Sequence, residues 1–263
     1  WDGAGGSQKR RSISKSYKEG RKPIRLNRTD RILTENQETE NKIWQQQRLI
    51  EYLNETPVIQ MMVDGVEADD LISLAVQDPT YKGWHKIIVS SDKDFYQLCD
   101  DETVVHRPIQ KQIKNKPRII EEFGIHPRNF ALARAIAGDK SDNLPGVGGV
   151  GLATIAKRIP FLIEDRDVTV SEVVGFCEGV ENQLKVHTAI TDNEELIKMN
   201  YSIMQLYSPL MSVQDRNKIR YDLENFQFMF NKTEVEKMMI IDGFGAGNWS
   251  ELYSTFRRIC VDN

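Results

Sequence analysis

The stretch Gly138-Asp139-Lys140-Ser141-Asp142-Asn143-Leu144-Pro145-Gly146-Val147-Gly148-Gly149-Val150-Gly151 decides how this chain is read. Asp139 and Asp142 stand three apart, and Pro145 leads into a loop carrying four glycines. Before it runs an apolar helical segment, Phe130 to Ala137, and after it another, Leu152 to Ile159, which contains Lys157-Arg158. A helix, a glycine loop and a second helix present backbone N–H groups to a phosphate. Carboxylates repel phosphate unless a metal intervenes, so this segment is expected to serve both a phosphodiester backbone and a metal.

Two further acidic clusters lie upstream. Glu67-Ala68-Asp69-Asp70 opens a predicted helix that runs to about Gln77, and Asp92-Lys93-Asp94 follows the apolar strand Ile87-Ile88-Val89. Capping explains one or two acids at a helix start, but three in four positions exceed what a cap needs. The carboxyl end of a strand in an open α/β sheet is where ligands bind. An oxygen-only donor set suits a hard cation such as Mg²⁺ or Mn²⁺. The four histidines and three cysteines show no ligand spacing, which argues against zinc, and the odd cysteine count suits a reducing compartment.

The 263 residues carry a net charge of −4, which by itself argues against a nucleic-acid partner. The average conceals a segregation. Setting aside the eight candidate metal acids (Asp2, Glu67, Asp69, Asp70, Asp92, Asp94, Asp139 and Asp142) takes −4 to +4 for everything else. Residues 7–31 hold ten Lys and Arg against Glu19 and Asp30. That segment reads as a basic tail or as a mobile arm that folds around a polyanion, with Tyr17 as a stacking surface.

Periodicity predicts a helix from about Asn36 to Leu53, a short strand Val58–Val63, the helix from Glu67 and a strand Lys86–Ser90. Strand, helix and strand at this spacing form a βαβ unit with a parallel sheet. Short strands are expected at Val104-Val105 and Gln112-Ile113. After Pro117 the signal turns helical, placing a boundary near 115–120 between an α/β part (1–117) and a helical part (118–263). No apolar run reaches the roughly 20 residues of a membrane span.

EADD at 67–70, SSDKDFYQL at 90–98 and GDKSDNLPGVGGVG at 138–151 resemble the 5′-nuclease family, which includes flap endonucleases, 5′→3′ exonucleases, phage-type ribonuclease H and the 5′-nuclease domains of bacterial DNA polymerases. The opening WDGAGGSQKRRSISKSYKEGR is similar to that family's stretch leading from an active-site aspartate into a helical arch. The resemblance implies a parallel-sheet, PIN-like α/β nuclease domain with an arch at about 7–35, and an all-helical domain with a helix-three-turn-helix at about 127–160. It implies a structure-specific exonuclease or flap endonuclease in DNA replication or repair, acting on DNA with a 5′ end or flap, or on RNA–DNA hybrid, through two Mg²⁺ or Mn²⁺ ions.

Carried over by residue, all eight acids become metal ligands, and Lys18 and Arg21 become the catalytic basic pair. Lys9, Arg10, Arg11, Lys15, Tyr17, Gly146, Val147, Gly148, Gly149, Gly151, Lys157 and Arg158 become DNA contacts, with a K⁺ ion at the 146–151 loop. The resemblance further implies a cytoplasmic monomer, in the host cytoplasm if phage-encoded, with a sliding clamp or single-strand binding protein as partner. The family has one more metal-binding aspartate, on a first strand upstream of the position of Asp2. The chain thus reads as N-terminally truncated, and the alternative function is a catalytically impaired DNA-junction-binding module.

Overall fold

The structure is a computed structural model, and it describes residues 1–20, 34–244 and 247–262. The chain divides into two compact units, Trp1–Arg21 with Met62–Asn217 and Lys22–Met61 with Lys218–Asn263. This division differs from the sequence boundary near 117. The reason is a single core, running from Tyr17 and Ile88 through Leu206, that draws the helices after 117 onto the sheet.

The first unit contains α1 (Gln8–Ile13) and α3 (Ala68–Gln77), and a sheet of β1 (Lys86–Val89), β2 (Thr103–Arg107) and β3 (Gln112–Lys114). In chain order α1 is followed by α2 (Glu35–Asn54), which belongs to the second unit. β1 pairs parallel with β2, and β2 antiparallel with β3. The sheet is therefore mixed, not all-parallel as expected. The predicted strand at Val58–Val63 does not form. Val66 accepts from Gly3 N and Gly65 N donates to the Ala4 carbonyl, so the chain there closes a turn onto residues 3–4 and makes no ladder. Gly3 and Gly6 are buried against this turn, and a Cβ on Gly3 would overlap the Val63 carbonyl.

After the sheet come α4 (Lys116–Phe123), α5 (Pro127–Ala137), α6 (Leu152–Arg158), α7 (Val170–Gly179), α8 (Lys185–Thr191) and α9 (Glu194–Met204). α5 is the centre of the core, with Phe130, Leu132 and Ile136 fully buried. Each such side chain contributes on the order of 2 kcal/mol by leaving water. Tyr96, from the 3-10 turn Asp94–Leu98, and Phe123 lie 5.4 and 5.2 Å from the Phe130 ring. Asn200 of α9 donates to the Ala135 and Pro145 carbonyls at 2.9 and 2.8 Å, tying the end of α5 to the loop beyond it.

That loop folds back on itself. Asp139 and Leu144 exchange both backbone hydrogen bonds, and Val147 N donates to the Ile136 carbonyl. The backbones of Gly138 and Gly146 lie against each other, so a Cβ on either would overlap the other strand of the loop.

In the second unit, α2 begins with a capping box at Thr34. Arg48 and Tyr52 both bond Asp242, which follows α11 (Lys232–Ile241). The remaining helices are α10 (Val213–Glu224), which has residues in both units, and α12 (Ser250–Asp262) in the second.

Gly146→Ala is expected to lower stability by about 3 kcal/mol, through forced displacement of packed backbone. Gly148→Ala, with open space where its Cβ would sit, should cost under about 0.5 kcal/mol. Urea denaturation of the two variants checks the contrast.

Candidate active site

Beyond the carboxyl end of β1 lies a cleft of about 230 Å³, lined by Asp2, Asp69, Asp92, Asp94 and Asp142 together with Arg10, Tyr17 and Lys18. Ile203, Met204 and Leu206 supply its apolar wall. Five of the eight predicted acids thus face one cavity.

Each arrives for a local reason. Asp2 Oδ1 accepts from Ala68 N at 2.8 Å and so caps α3, a task the preceding Glu67 leaves undone. Asp92 Oδ1 accepts from Asp94 N, closing the turn that follows β1. Asp142 is buried in the glycine loop, and its carbonyl accepts from Lys18 N at 3.0 Å. That bond holds Lys18 at φ +55°, a conformation costing roughly 1 kcal/mol for a residue with a Cβ. Lys18 Nζ reaches Glu67 Oε1 at 3.0 Å and lies 5.0 Å from the centre of the Tyr17 ring.

The other three acids are occupied. Arg10 Nη1 bonds Glu67 at 3.0 Å and Asp70 at 2.6 Å, while Nη2 bonds Asp70 and Nε bonds the Ile203 carbonyl. Asp70 also accepts from Leu210 N. Arg134 of α5 bonds Asp94 through Nε at 3.0 Å and Asp139 through Nη2. Asp139 accepts further from Ser141 N and Oγ. Among the described residues no three His, Cys, Asp or Glu side chains are grouped closely enough to hold one ion. The eight acids therefore do not meet as a single ligand shell in this conformation.

Charge is under strain in the cleft. Burial and then the nearby Asp92 carboxylate push Asp69 up to about 7. Burial pushes Asp94 up to about 6, against the pull of Arg134. Burial would also raise Asp139, but Ser141 and Arg134 overcome it and leave this group below its usual value. Desolvation and then Glu67 push the Tyr17 phenol upward.

Several predicted DNA contacts sit elsewhere than expected. Arg10 is buried and committed to Glu67 and Asp70, not open to a phosphate. Tyr17 is 4% exposed with its hydroxyl on Glu67, so no base can stack on it. Val147 lies in the core with its N–H used, and Lys9 donates to the Leu210 carbonyl. Arg11, Lys15 and Lys157 are exposed and Arg158 half-buried. Arg21 and residues 22–33 of the expected arch fall outside the described residues. Gly148, Gly149 and Gly151 leave open space where side chains would stand. No acceptor among the described residues takes their N–H groups, and α6 begins at Gly151 without a side-chain cap.

Residues 1–124 match the family model of the 5′-3′ exonuclease N-terminal, resolvase-like domain. A 5′-3′ exonuclease of Aquifex aeolicus is 28% identical over 180 residues, covering 66% of this chain and 58% of that protein. Over residues 1–124 the chain is similar to the N-terminal domain of 5′-nucleases. A second relative, the 5′-3′ exonuclease of Buchnera aphidicola, is 37% identical over 115 residues, 43% of this chain and 40% of that protein. DNA polymerase I of Mycobacterium leprae is 29% identical over 65% of this chain and 19% of its own length. The chain thus spans well under two thirds of these curated relatives. The T5 D15 protein co-crystallised with metal ions shares the fold at TM-score 0.66 and 19% identity, over 85% of this chain and 82% of that one. The T5 5′-exonuclease with zinc bound does so at TM-score 0.61 and 18% identity, over 90% and 79%.

Sequence reasoning missed Arg134. The available signal was a single charge in the apolar run Phe130–Ala137, where an arginine must find a carboxylate or be excluded.

Arg10→Met would leave Glu67 and Asp70 buried without a counter-charge, at an expected cost of about 3–5 kcal/mol. Restoring neutrality with Glu67→Gln and Asp70→Asn in the same chain should recover most of that loss. Chemical denaturation of the single and triple variants reads both values.

Proposed function

We propose that this chain is a metal-dependent 5′-nuclease that hydrolyses phosphodiester bonds in DNA carrying a 5′ end or flap, in replication or repair. The observation that carries the reading is five aspartates lining one cleft with Lys18 at its side. Their donor set fits hard divalent cations, because it is all oxygen and because burial disfavours the charges of Asp69 and Asp94, with the Asp92 carboxylate adding repulsion that a bound cation would relieve. After side-chain rearrangement, Asp2, Asp69 and Asp92 would hold a first ion, and Asp94, Asp139 and Asp142 a second, with Glu67 and Asp70 supporting from behind through Arg10. Bound there, Mg²⁺ or Mn²⁺ supplies the charge that activates water near neutral pH and offsets the leaving oxyanion.

The chain's own groups perform the remaining tasks. Lys18, fixed by the Asp142 carbonyl and Glu67, places a cation beside the scissile phosphate, with Arg21 as its partner. The N–H groups of Gly148, Gly149 and Gly151 face a duplex backbone, in a helix-three-turn-helix where loop carbonyls would take K⁺. Lys157 and Arg158 add phosphate contacts, giving salt-dependent affinity. RNA–DNA hybrid is a second substrate class under this reading, and a sliding clamp or single-strand binding protein a fitting partner. Among the described residues no helix is long and apolar enough to cross a membrane.

One observation favours a second reading, a junction-binding module with weak or no cleavage. Arg10 and Arg134 already occupy Glu67, Asp70, Asp94 and Asp139.

Incubation of the purified chain with a labelled 5′-flap duplex and Mn²⁺ separates the two. A nuclease shortens the strand, whereas a module shifts its mobility and leaves its length intact. Asp92→Ala is expected to lower cleavage at least ~100-fold with duplex affinity retained. A variant that cuts at the wild-type rate would remove the cleft from the mechanism.

A further inference from the structure

We propose that Arg134 is a built-in counter-cation of the acidic cleft. Its guanidinium holds Asp94 and Asp139 in the place of a divalent ion and must release them before a second ion binds, so Arg134 sets that ion's affinity. The inference rests on the metal-dependent reading of the cleft.

Arg134 and Arg10 look alike but are built differently. Arg10 has three partners: the Glu67 and Asp70 carboxylates and the Ile203 carbonyl. Its side chain is 4% exposed, and Asp70 is further fixed by Leu210 N. Freeing it would strand a carbonyl and two carboxylates in the interior, a large penalty with no water to offset it. Arg10 is a permanent brace.

Arg134 spans two elements with one nitrogen to each. Nε bonds Asp94, from the turn after β1, and Nη2 bonds Asp139, from the glycine loop. Its side chain is 14% exposed, and no backbone carbonyl among the described residues anchors it. Asp94 lines the cleft itself, so the guanidinium is one hydrogen bond behind the cavity wall. Two carboxylates bridged by one cation is also how a divalent ion would join them.

An arginine cannot shed its proton to make way, so an ion touching Asp94 or Asp139 meets a fixed positive charge until the side chain swings out. Asp2, Asp69 and Asp92 make no ion pair with Arg134, so an ion held by them is not subject to that competition. Two ions of unequal affinity follow, with the weaker one controlled from α5.

Mn²⁺ titration of the intact chain by calorimetry and by the loss of free-ion electron paramagnetic resonance signal tests this without reference to activity. Wild type is expected to bind one ion tightly and a second weakly or undetectably. Arg134→Gln should tighten the weaker site at least tenfold, leave the tighter one within about twofold, and Arg134→Lys should fall between. Circular dichroism establishes that each variant is folded, and the Lys variant, which keeps the charge, stands in if Gln does not fold. A weaker site that is unchanged or lost in the folded variants overturns the proposal while leaving the metal-dependent reading intact. No Mn²⁺ bound by wild type or either variant overturns both.

Discussion

Arg10, buried between Glu67 and Asp70, is the interaction on which the rest of this structure depends. It comes from the short helix α1, reaches the N-terminus of α3, and bonds the buried C-terminal end of α9 through the Ile203 carbonyl. Three segments far apart in sequence are thereby held at one point. Burying a guanidinium is tolerable only because every strong donor direction it uses meets an acceptor. The geometry also explains why the cleft wall contains Ile203, Met204 and Leu206: the same bond that neutralises two acids brings the end of α9 to the site.

The cleft is an electrostatic compromise. Eight acids gathered in and behind one cleft, from the N-terminus, the start of α3, the turn after β1 and the glycine loop, cannot all ionise where they are partly desolvated without compensation. Arg10 compensates one pair and Arg134 another, and Lys18 leans in from a left-handed backbone position to reach Glu67. What remains uncompensated is concentrated on Asp69 and Asp92, and burial together with the Asp92 carboxylate pushes Asp69 upward. A hard cation is the natural relief for that residue of charge. The glycine loop handles its opposite task by a different device, with Gly138 and Gly146 locking its base while Gly148, Gly149 and Gly151 stay bare at its tip.

Much of this was legible from the residues. The helices at 35–54, 68–77, 116–123 and 127–137 follow apolar periodicity and capping residues, and the strands at 86–89, 103–107 and 112–114 follow short β-branched runs. The expected strand at 58–63 failed because a β-prone composition needs a ladder partner, and Val63 and Val66 are engaged by a turn instead. Residue type announced the acids, but not which would be neutralised. Arg10 and Tyr17 read as surface groups because basic density says nothing about direction; their burial depends on Glu67 and Asp70, some sixty residues away. The boundary near 117 marked a true change of composition, yet a core threaded through Tyr96, Phe123 and Phe130 ignores it.

The claim at the centre of this account is that the aspartate cleft beyond β1 is where divalent ions reside. Anomalous scattering from crystals grown with Mn²⁺ locates such ions directly. The account predicts a peak inside the cleft within coordination distance of Asp69 and Asp92, with any second, weaker peak beside Asp94. Well-ordered crystals saturated with Mn²⁺ that show no peak in the cleft, or peaks only at other acidic surfaces, would contradict it.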